Sequence, residues 1–431
     1  MKTKKIIYIL VTLIFLINLS KSYSYTETEL PEISAQSAIL IDSATEKALY
    51  TKNENKKMYP ASTTKILTAI ITIENCNLED TVEVPYEAIS TIPEGYTTAS
   101  LQPEEQLNIE QLLQLLLIHS ANDAANVLAY HISGSIENFA EQMNNKIAEL
   151  KLKNTHFTNP SGIHNSSHYT TAHDLAIIMK YCMKNPTFKN ISAQKQCTIP
   201  PTNKYSERTF TTTNELLINK NSNTENNYYY KYAIAGKTGY TSEAQNCLVS
   251  VSNKNGLELI CVVLSATTYP NDLNGRFIDT KSIFTYGYSN YTISKLQEQN
   301  SIATQIEIEN ATEETKNLDL LVLNDITTLV SQKDLETGLT PEIQIDENLS
   351  APILQGQKIG KIIYNLDNVQ HSSDLIASHN VEKKIDTTIL PVQIIILIFQ
   401  ILFIILTLYI LYKYLFGNKE KQLNFRNKKE E

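Results

Sequence analysis

From about Glu32 to Asn290 the apolar positions follow two alternating periods. The run "IEQLLQLLLIHSANDAANVLAYHI" (109–132) places them at helical spacing, and the pattern breaks near His119-Ser120. The run "NCLVSVSNKNGLELICVVLSA" (246–266) sets two β-branched stretches around Asn253-Lys254-Asn255-Gly256, which predicts a β-hairpin. From about Tyr291 the pattern changes. "TQIEIENAT", "LDLLVL", "PEIQIDENL" and "KIGKIIYNL" are short strand-like runs between turn residues, as expected of a small all-β domain.

Both ends carry longer apolar runs. Lys2, Lys4 and Lys5 precede "IIYILVTLIFLINL", and Ser22 and Ser24 offer small residues for cleavage, the arrangement of a signal peptide. No Cys follows that run, so a lipid anchor is not expected. Residues 389–412 hold no charged side chain and are long enough to cross a hydrocarbon layer of about 30 Å. The basic tail behind them, with Lys413, Lys419, Lys421, Arg426, Lys428 and Lys429 against three Glu, is expected in the cytoplasm, with all that precedes outside. The expected organisation is a signal peptide at 1–24, a catalytic domain at 25–290, a β-rich domain at 291–377, a polar linker at 378–388, a membrane helix at 389–412 and a cytoplasmic tail at 413–431.

Composition narrows the function. The 431 residues are 42% hydrophobic and 19% charged, which excludes wholesale disorder. A net charge of −9 without any basic aromatic patch argues against nucleic-acid binding. The five cysteines show no metal-ligand spacing; one disulfide and free buried thiols both stay open.

With no metal in view, amide hydrolysis needs a nucleophile, a base, donors for the oxyanion and a site for the substrate's charge. In "YPASTTKILTA" Ser62 stands at a helix start, near exposed N–H groups and the positive end of the helix dipole. Lys65 lies on the same face, within reach of the Ser62 oxygen. It can act as a base only if partly neutral, which burial and a nearby cation would favour. In "HSANDAANVLA", Ser120 could pass a proton and Asn122 could bind a substrate amide, although Ser-x-Asn is also an ordinary helix cap. In "AIAGKTGYTSEAQNCLVSV", Lys237 and Thr238 could bind a carboxylate, Gly239 would admit a substrate backbone, and Lys237 supplies the missing cation. Each motif alone is common, and Lys-Thr-Gly also reads as a turn. Their combination in this order is a signature of penicillin-binding proteins and class A β-lactamases.

The chain resembles the low-molecular-mass penicillin-binding proteins, the serine-type D-alanyl-D-alanine carboxypeptidases. The likeness extends to "FAEQMNNKIAEL", "NTHFTNPSGI", "HYTTAHDLAIIM", "FIDTKSIFTYGY" and, in the β-rich part, "APILQGQKIGKIIY". It implies an α/β (α+β) catalytic domain of the β-lactamase/transpeptidase type. The substrate implied is a peptidoglycan stem peptide ending in D-Ala-D-Ala, with β-lactam antibiotics as covalent inhibitors and no cofactor or metal. By the same resemblance Ser62 is the nucleophile, Lys65 its base and Ser120 a proton relay. Asn122 would hold the peptide, and Lys237, Thr238 and Gly239 would form the carboxylate site, joined by Arg276, which reads almost as well as a surface residue on a helix. The backbone N–H groups of Ser62 and Tyr240 would form the oxyanion hole.

Three departures stand out: Ala121 and Glu104 occupy positions where the family usually has Gly, and His164 follows "SGI" in place of a commoner Asp-containing turn. Two rivals remain at this point. A β-lactamase would need a deacylating Glu, which "ELLIN" (215–219) imitates too close to Lys237; an idle wall-binding protein would not need Ser62, Lys65 and Lys237 intact.

Overall fold

The computed structural model describes residues 29–220, 227–367, 369–385 and 389–426. The expected signal peptide at 1–24 and the end of the tail lie outside them. The chain divides into two units, 1–294 with 329–338, and 295–328 with 339–431.

The first unit is built on a five-stranded sheet. Its strands are β1 (Ser37–Asp42), β2 (Ala48–Lys52), β3 (Ala233–Thr241), β4 (Gln245–Lys254) and β5 (Leu257–Ala266). They run in the order β2-β1-β5-β4-β3, and every pairing is antiparallel. The expected hairpin is β4-β5, closed by Asn255 and Gly256 with both φ positive, the backbone that a two-residue turn requires.

Antiparallel sheets often wet one face, but this one is covered on both. Ile39, Ile41, Val249, Ile260 and Val262 point into a large helical core; Ala38, Leu40, Leu259, Cys261 and Val263 point into a second core with Ile283 and Phe284. Alternate residues of one strand therefore serve different cores, which explains why these strands read as unbroken apolar runs. The large core holds α1 (Lys65–Asn75), α2 (Ile109–Gln114), α3 (Asn122–Ser133) and α4 (Ala172–Met183). In α1 every residue from Lys65 to Thr72 is buried, as expected of a helix enclosed on all sides. On the opposite face lies α5 (Gly275–Asn290). All five cysteines are free thiols, and Cys182, Cys197, Cys247 and Cys261 are buried.

Glu104 keeps a left-handed backbone, φ 65°, so the usual glycine conformation survives although the residue has changed. Its carboxylate meets Lys204 at the surface, too exposed to offset that strain by more than a few tenths of a kcal/mol. Glu104→Gly is expected to gain about 0.5–1 kcal/mol in thermal unfolding, and Glu104→Ile to lose about 1 kcal/mol. Equal midpoints for the two variants would contradict this.

The second unit contains a five-stranded antiparallel sheet of β6 (Ile302–Glu307), β7 (Asn317–Val322), β8 (Glu342–Ile345), β9 (Lys358–Leu366) and β10 (Val369–Ala377), in the order β6-β7-β10-β9-β8. Two boundaries differ from expectation. Residues 329–338, with a short helix at Gln332–Thr337, group with the first unit, because Leu329 fills the core beside Leu49 and Tyr50. The start of the expected linker belongs to the β unit, because Val381 is buried and bridges Ile353. Finally α6 (Ile389–Arg426) holds a 26-residue, largely apolar stretch, Pro391–Phe416, whose side chains are exposed. It is long and apolar enough to cross a membrane. The helix continues past the expected end at 412, to Arg426.

Candidate active site

The chain enters α1 through a turn of 3-10 helix at Ala61–Thr64. Ser and Thr hydroxyls near a helix start commonly bond to backbone groups of the same turn. Here Thr63 Oγ1 donates to the Pro60 carbonyl and Thr64 Oγ1 to the Ala61 carbonyl, both at 2.8 Å. Ser62 takes no part in this, and its Oγ instead meets Lys65 Nζ at 2.9 Å.

Lys65 is wholly buried, and Nζ has two further partners at 2.7 Å, Asn122 Oδ1 and the Ser161 carbonyl. Both are obligate acceptors and take two hydrogens. A neutral amine in this position has its lone pair left for the Ser62 hydroxyl, so the amine can receive that proton. Burial lowers the Lys65 pKa well below its ordinary value, the positive charge of Lys237 lowers it further, and Asp123 opposes both. The expected second lysine is thus present, but desolvation is the larger cause.

The break in the 109–132 pattern is a π-helical turn at Leu115–His119 followed by Ser120 in the left-handed region, φ 69°. Ser120 is not a helix cap; α3 starts after Ala121 without a side-chain cap. Its Oγ accepts from Lys237 Nζ at 2.7 Å. Asn122 faces inward: Oδ1 accepts from Lys65, and Nδ2 donates to the Thr97 carbonyl at 2.9 Å. It therefore orients Lys65, with only its remaining lone pair and N–H left for a peptide.

The edge strand β3 passes beside the Ser62 turn. A Cβ on Gly239 would lie 2.9 Å from the Pro60 carbonyl oxygen and 3.0 Å from Ser62 N, so no side chain fits there. Lys237 is buried behind this strand, and Nζ also donates to the Thr238 carbonyl at 2.9 Å. Burial, then the neighbouring Arg276 guanidinium, lower its pKa to about 7. Thr238 Oγ1 meets Thr213 Oγ1 at 2.5 Å. Arg276, at the start of α5, turns inward and lines the cleft instead of lying free at the surface. It donates to the Gly239 carbonyl at 3.0 Å, to Asn274 Oδ1 at 3.1 Å, and to Asn246 Oδ1. Among the described residues no carboxylate makes an ion pair with Lys65, Lys237 or Arg276. The guanidinium of Arg276, without a carboxylate partner, suits an anion.

These groups surround a cleft of about 500 Å³ lined by Ser62, Ser120, Asn122, Thr238, Tyr240 and Arg276. Lys237 does not line it and acts from behind Ser120 and Thr238. No described group of His, Cys, Asp and Glu could hold a metal ion. Glu215 reaches the rim but pairs with Lys220. His164 makes an edge-on ring contact with Tyr59, centroids 4.7 Å apart. Three contributors escaped sequence reasoning: the carbonyls of Ser161 and Thr97 and the Thr213 hydroxyl. The run Asn159-Pro160-Ser161-Gly162 has the composition of a turn, yet nothing in it marks which carbonyl turns inward.

Residues 24–268 match the family model of D-alanyl-D-alanine carboxypeptidase (Peptidase S11), and 291–383 match that of the penicillin-binding protein 5 C-terminal domain. The D-alanyl-D-alanine carboxypeptidase DacF of Bacillus subtilis is 30% identical over 355 residues, 81% of this chain and 86% of the relative. DacA of Haemophilus influenzae is 30% identical over 344 residues, 78% of this chain and 82% of its own. Among solved structures, penicillin-binding protein 5 from Haemophilus influenzae superposes with a TM-score of 0.60 at 27% identity, covering 83% of this chain and all of that one.

Proposed function

The chain belongs to the D-alanyl-D-alanine carboxypeptidase family, and from that membership we propose that its cleft removes the terminal D-alanine of a peptidoglycan stem peptide through an acyl-enzyme on Ser62. The observation that carries this reading is the 2.9 Å contact between Ser62 Oγ and a buried Lys65 amine that also bonds to two obligate acceptors, Asn122 Oδ1 and the Ser161 carbonyl.

Lys65 takes the Ser62 proton as Oγ attacks the carbonyl of the penultimate residue. The oxyanion that forms is met by the N–H groups of Ser62 and Tyr240, which the absent Gly239 side chain allows to converge. Thr238 and Arg276 bind the terminal carboxylate, with the Lys237 charge behind them. The proton reaches the leaving D-alanine amine through Ser120, the C–N bond breaks, and the shortened peptide remains as an ester on Ser62. Water then cleaves the ester, and the Oγ–H is restored. A β-lactam carboxylate and ring amide fit the same two subsites, so penicillin would acylate Ser62. Residues 25–290 are proposed as the catalytic domain and the β unit as a spacer. α6 is proposed to anchor the enzyme in the cell membrane, with the catalytic unit outside and the basic tail inside, at work on wall maturation.

The test uses the full chain in detergent. D-Alanine release from a pentapeptide ending in D-Ala-D-Ala, with a slowly lost penicillin adduct, is expected. Rapid penicillin turnover without D-alanine release would favour a β-lactamase and overturn the proposal.

A further inference from the structure

His168 takes no part in the chemistry above, yet it is buried and linked to the nucleophile's turn. The backbone N–H of Thr158 points at its Nδ1, 3.0 Å away. A backbone N–H can only donate, so Nδ1 carries the lone pair and the ring proton sits on Nε2. Nε2 lies 2.8 Å from Thr64 Oγ1, which must therefore accept, leaving its own hydrogen for the Ala61 carbonyl at 2.8 Å. The direction of every proton in this chain follows from its first member.

The far end of the chain is unusual. Ala61, immediately before Ser62, holds φ 49°, a backbone that L residues other than Gly, Asn and Asp rarely adopt. Strain of this kind persists only where the surroundings over-determine it. Two contacts do so here. One is the Thr64 hydroxyl on the Ala61 carbonyl. The other is Gly162, where a Cβ would fall 1.9 Å from the same carbonyl oxygen. The His168 ring is itself fixed against Phe157, centroids 4.9 Å apart.

We propose that His168, as a neutral Nε2–H imidazole, is a positioning residue that fixes Ser62 through Thr64 and the Ala61 carbonyl. Burial, with His156 and His164 as the neighbouring titratable groups, holds its pKa near 3, in keeping with a permanent donor. A protonated ring would set N–H against the Thr158 N–H. This inference rests on Ser62 as the nucleophile.

The test measures acylation by labelled penicillin under conditions where each full-length variant is folded, separating the noncovalent binding constant from the acylation rate constant. Thr64→Val keeps the shape of the side chain and removes both hydrogen bonds. It is expected to lower the acylation rate constant about 10–100-fold with noncovalent binding unchanged, while Thr64→Ser restores it. His168→Asn, which keeps an acceptor for Thr158 but cannot reach Thr64, should match Thr64→Val, and the double variant should be no slower than either. The ¹⁵N shifts of His168 should report the Nε2–H tautomer without titration between pH 5 and 8. A wild-type rate in Thr64→Val, or an Nδ1–H tautomer, would overturn the proposal, whether or not His168→Asn folds. Peptide mapping of the wild-type adduct separates this failure from the other: a label absent from Ser62 would sink the mechanism itself.

Discussion

Ser62→Ala is expected to fold normally, to lose covalent labelling by penicillin completely, and to release D-alanine at least about 10⁴-fold more slowly than wild type. Ser62 Oγ makes no contribution to the helix start, where Thr63 and Thr64 satisfy the carbonyls, so its removal should change stability by no more than about 0.5 kcal/mol. What disappears is the atom proposed to become the ester. The carboxylate subsite is untouched, so weak, reversible penicillin binding should persist. Mass spectrometry of the treated variant settles the matter; an adduct of the same mass would require a different nucleophile.

The second large effect is expected from Lys65→Met. This variant keeps most of the side-chain volume in the buried site and removes the base, and acylation should fall by about 10³-fold or more. It also carries a pH signature. The lysine pKa is depressed in the folded protein and stands at its ordinary value of 10.5 in the unfolded chain. Above the folded pKa and below 10.5, the unfolded state binds the extra proton, so unfolding becomes harder as pH rises. Each lysine that is neutral only when folded adds about 1.4 kcal/mol of stability per pH unit across its window. For Lys237 that window opens near pH 7. Denaturant titrations at pH 7 and pH 9 should therefore show wild type gaining more than Lys65→Met. Parallel profiles would mean that Lys65 stays protonated in the folded protein, and the base would have to be sought elsewhere. The acid limb of the acylation rate should vanish in the same variant, because it reports protonation of Lys65.

Much of this site was legible because its chemistry needs particular side chains in a particular order. Ser62 and Lys65 sit one helical turn apart, and any α1 that begins there brings them together. The break at His119-Ser120 was visible as a loss of period, and it proved to be the place where Ser120 leaves the helix to meet Lys237. Backbone contributors were not legible, since a carbonyl such as that of Ser161 has no residue type to betray it. Nor could spacing show that the Asn122 amide turns toward Lys65, because that depends on Thr97 arriving from another loop. Arg276 looked as much like a surface residue as a ligand; only the packing of α5 against β4 and β5, which carries the helix start to the mouth of the cleft, decides between them. The two units depart from the expected domain edges for a related reason. Leu329 and Val381 lie in polar or strand-like surroundings, and each is claimed by a core assembled from distant segments.

The pairing of β1 with β5 has a kinetic consequence. Ala38 bonds across to Val263, so the two central strands of the sheet come from opposite ends of the catalytic unit. Such non-local closure is slow, because a long loop must be ordered before its contacts repay the lost entropy. A growing chain therefore cannot complete this sheet until residue 266 is available, and Lys237 cannot reach Ser120 until β3 is added at its edge. A chain that ends before residue 266 is therefore expected to lack the closed sheet that holds Ser62, Ser120 and Lys237 together.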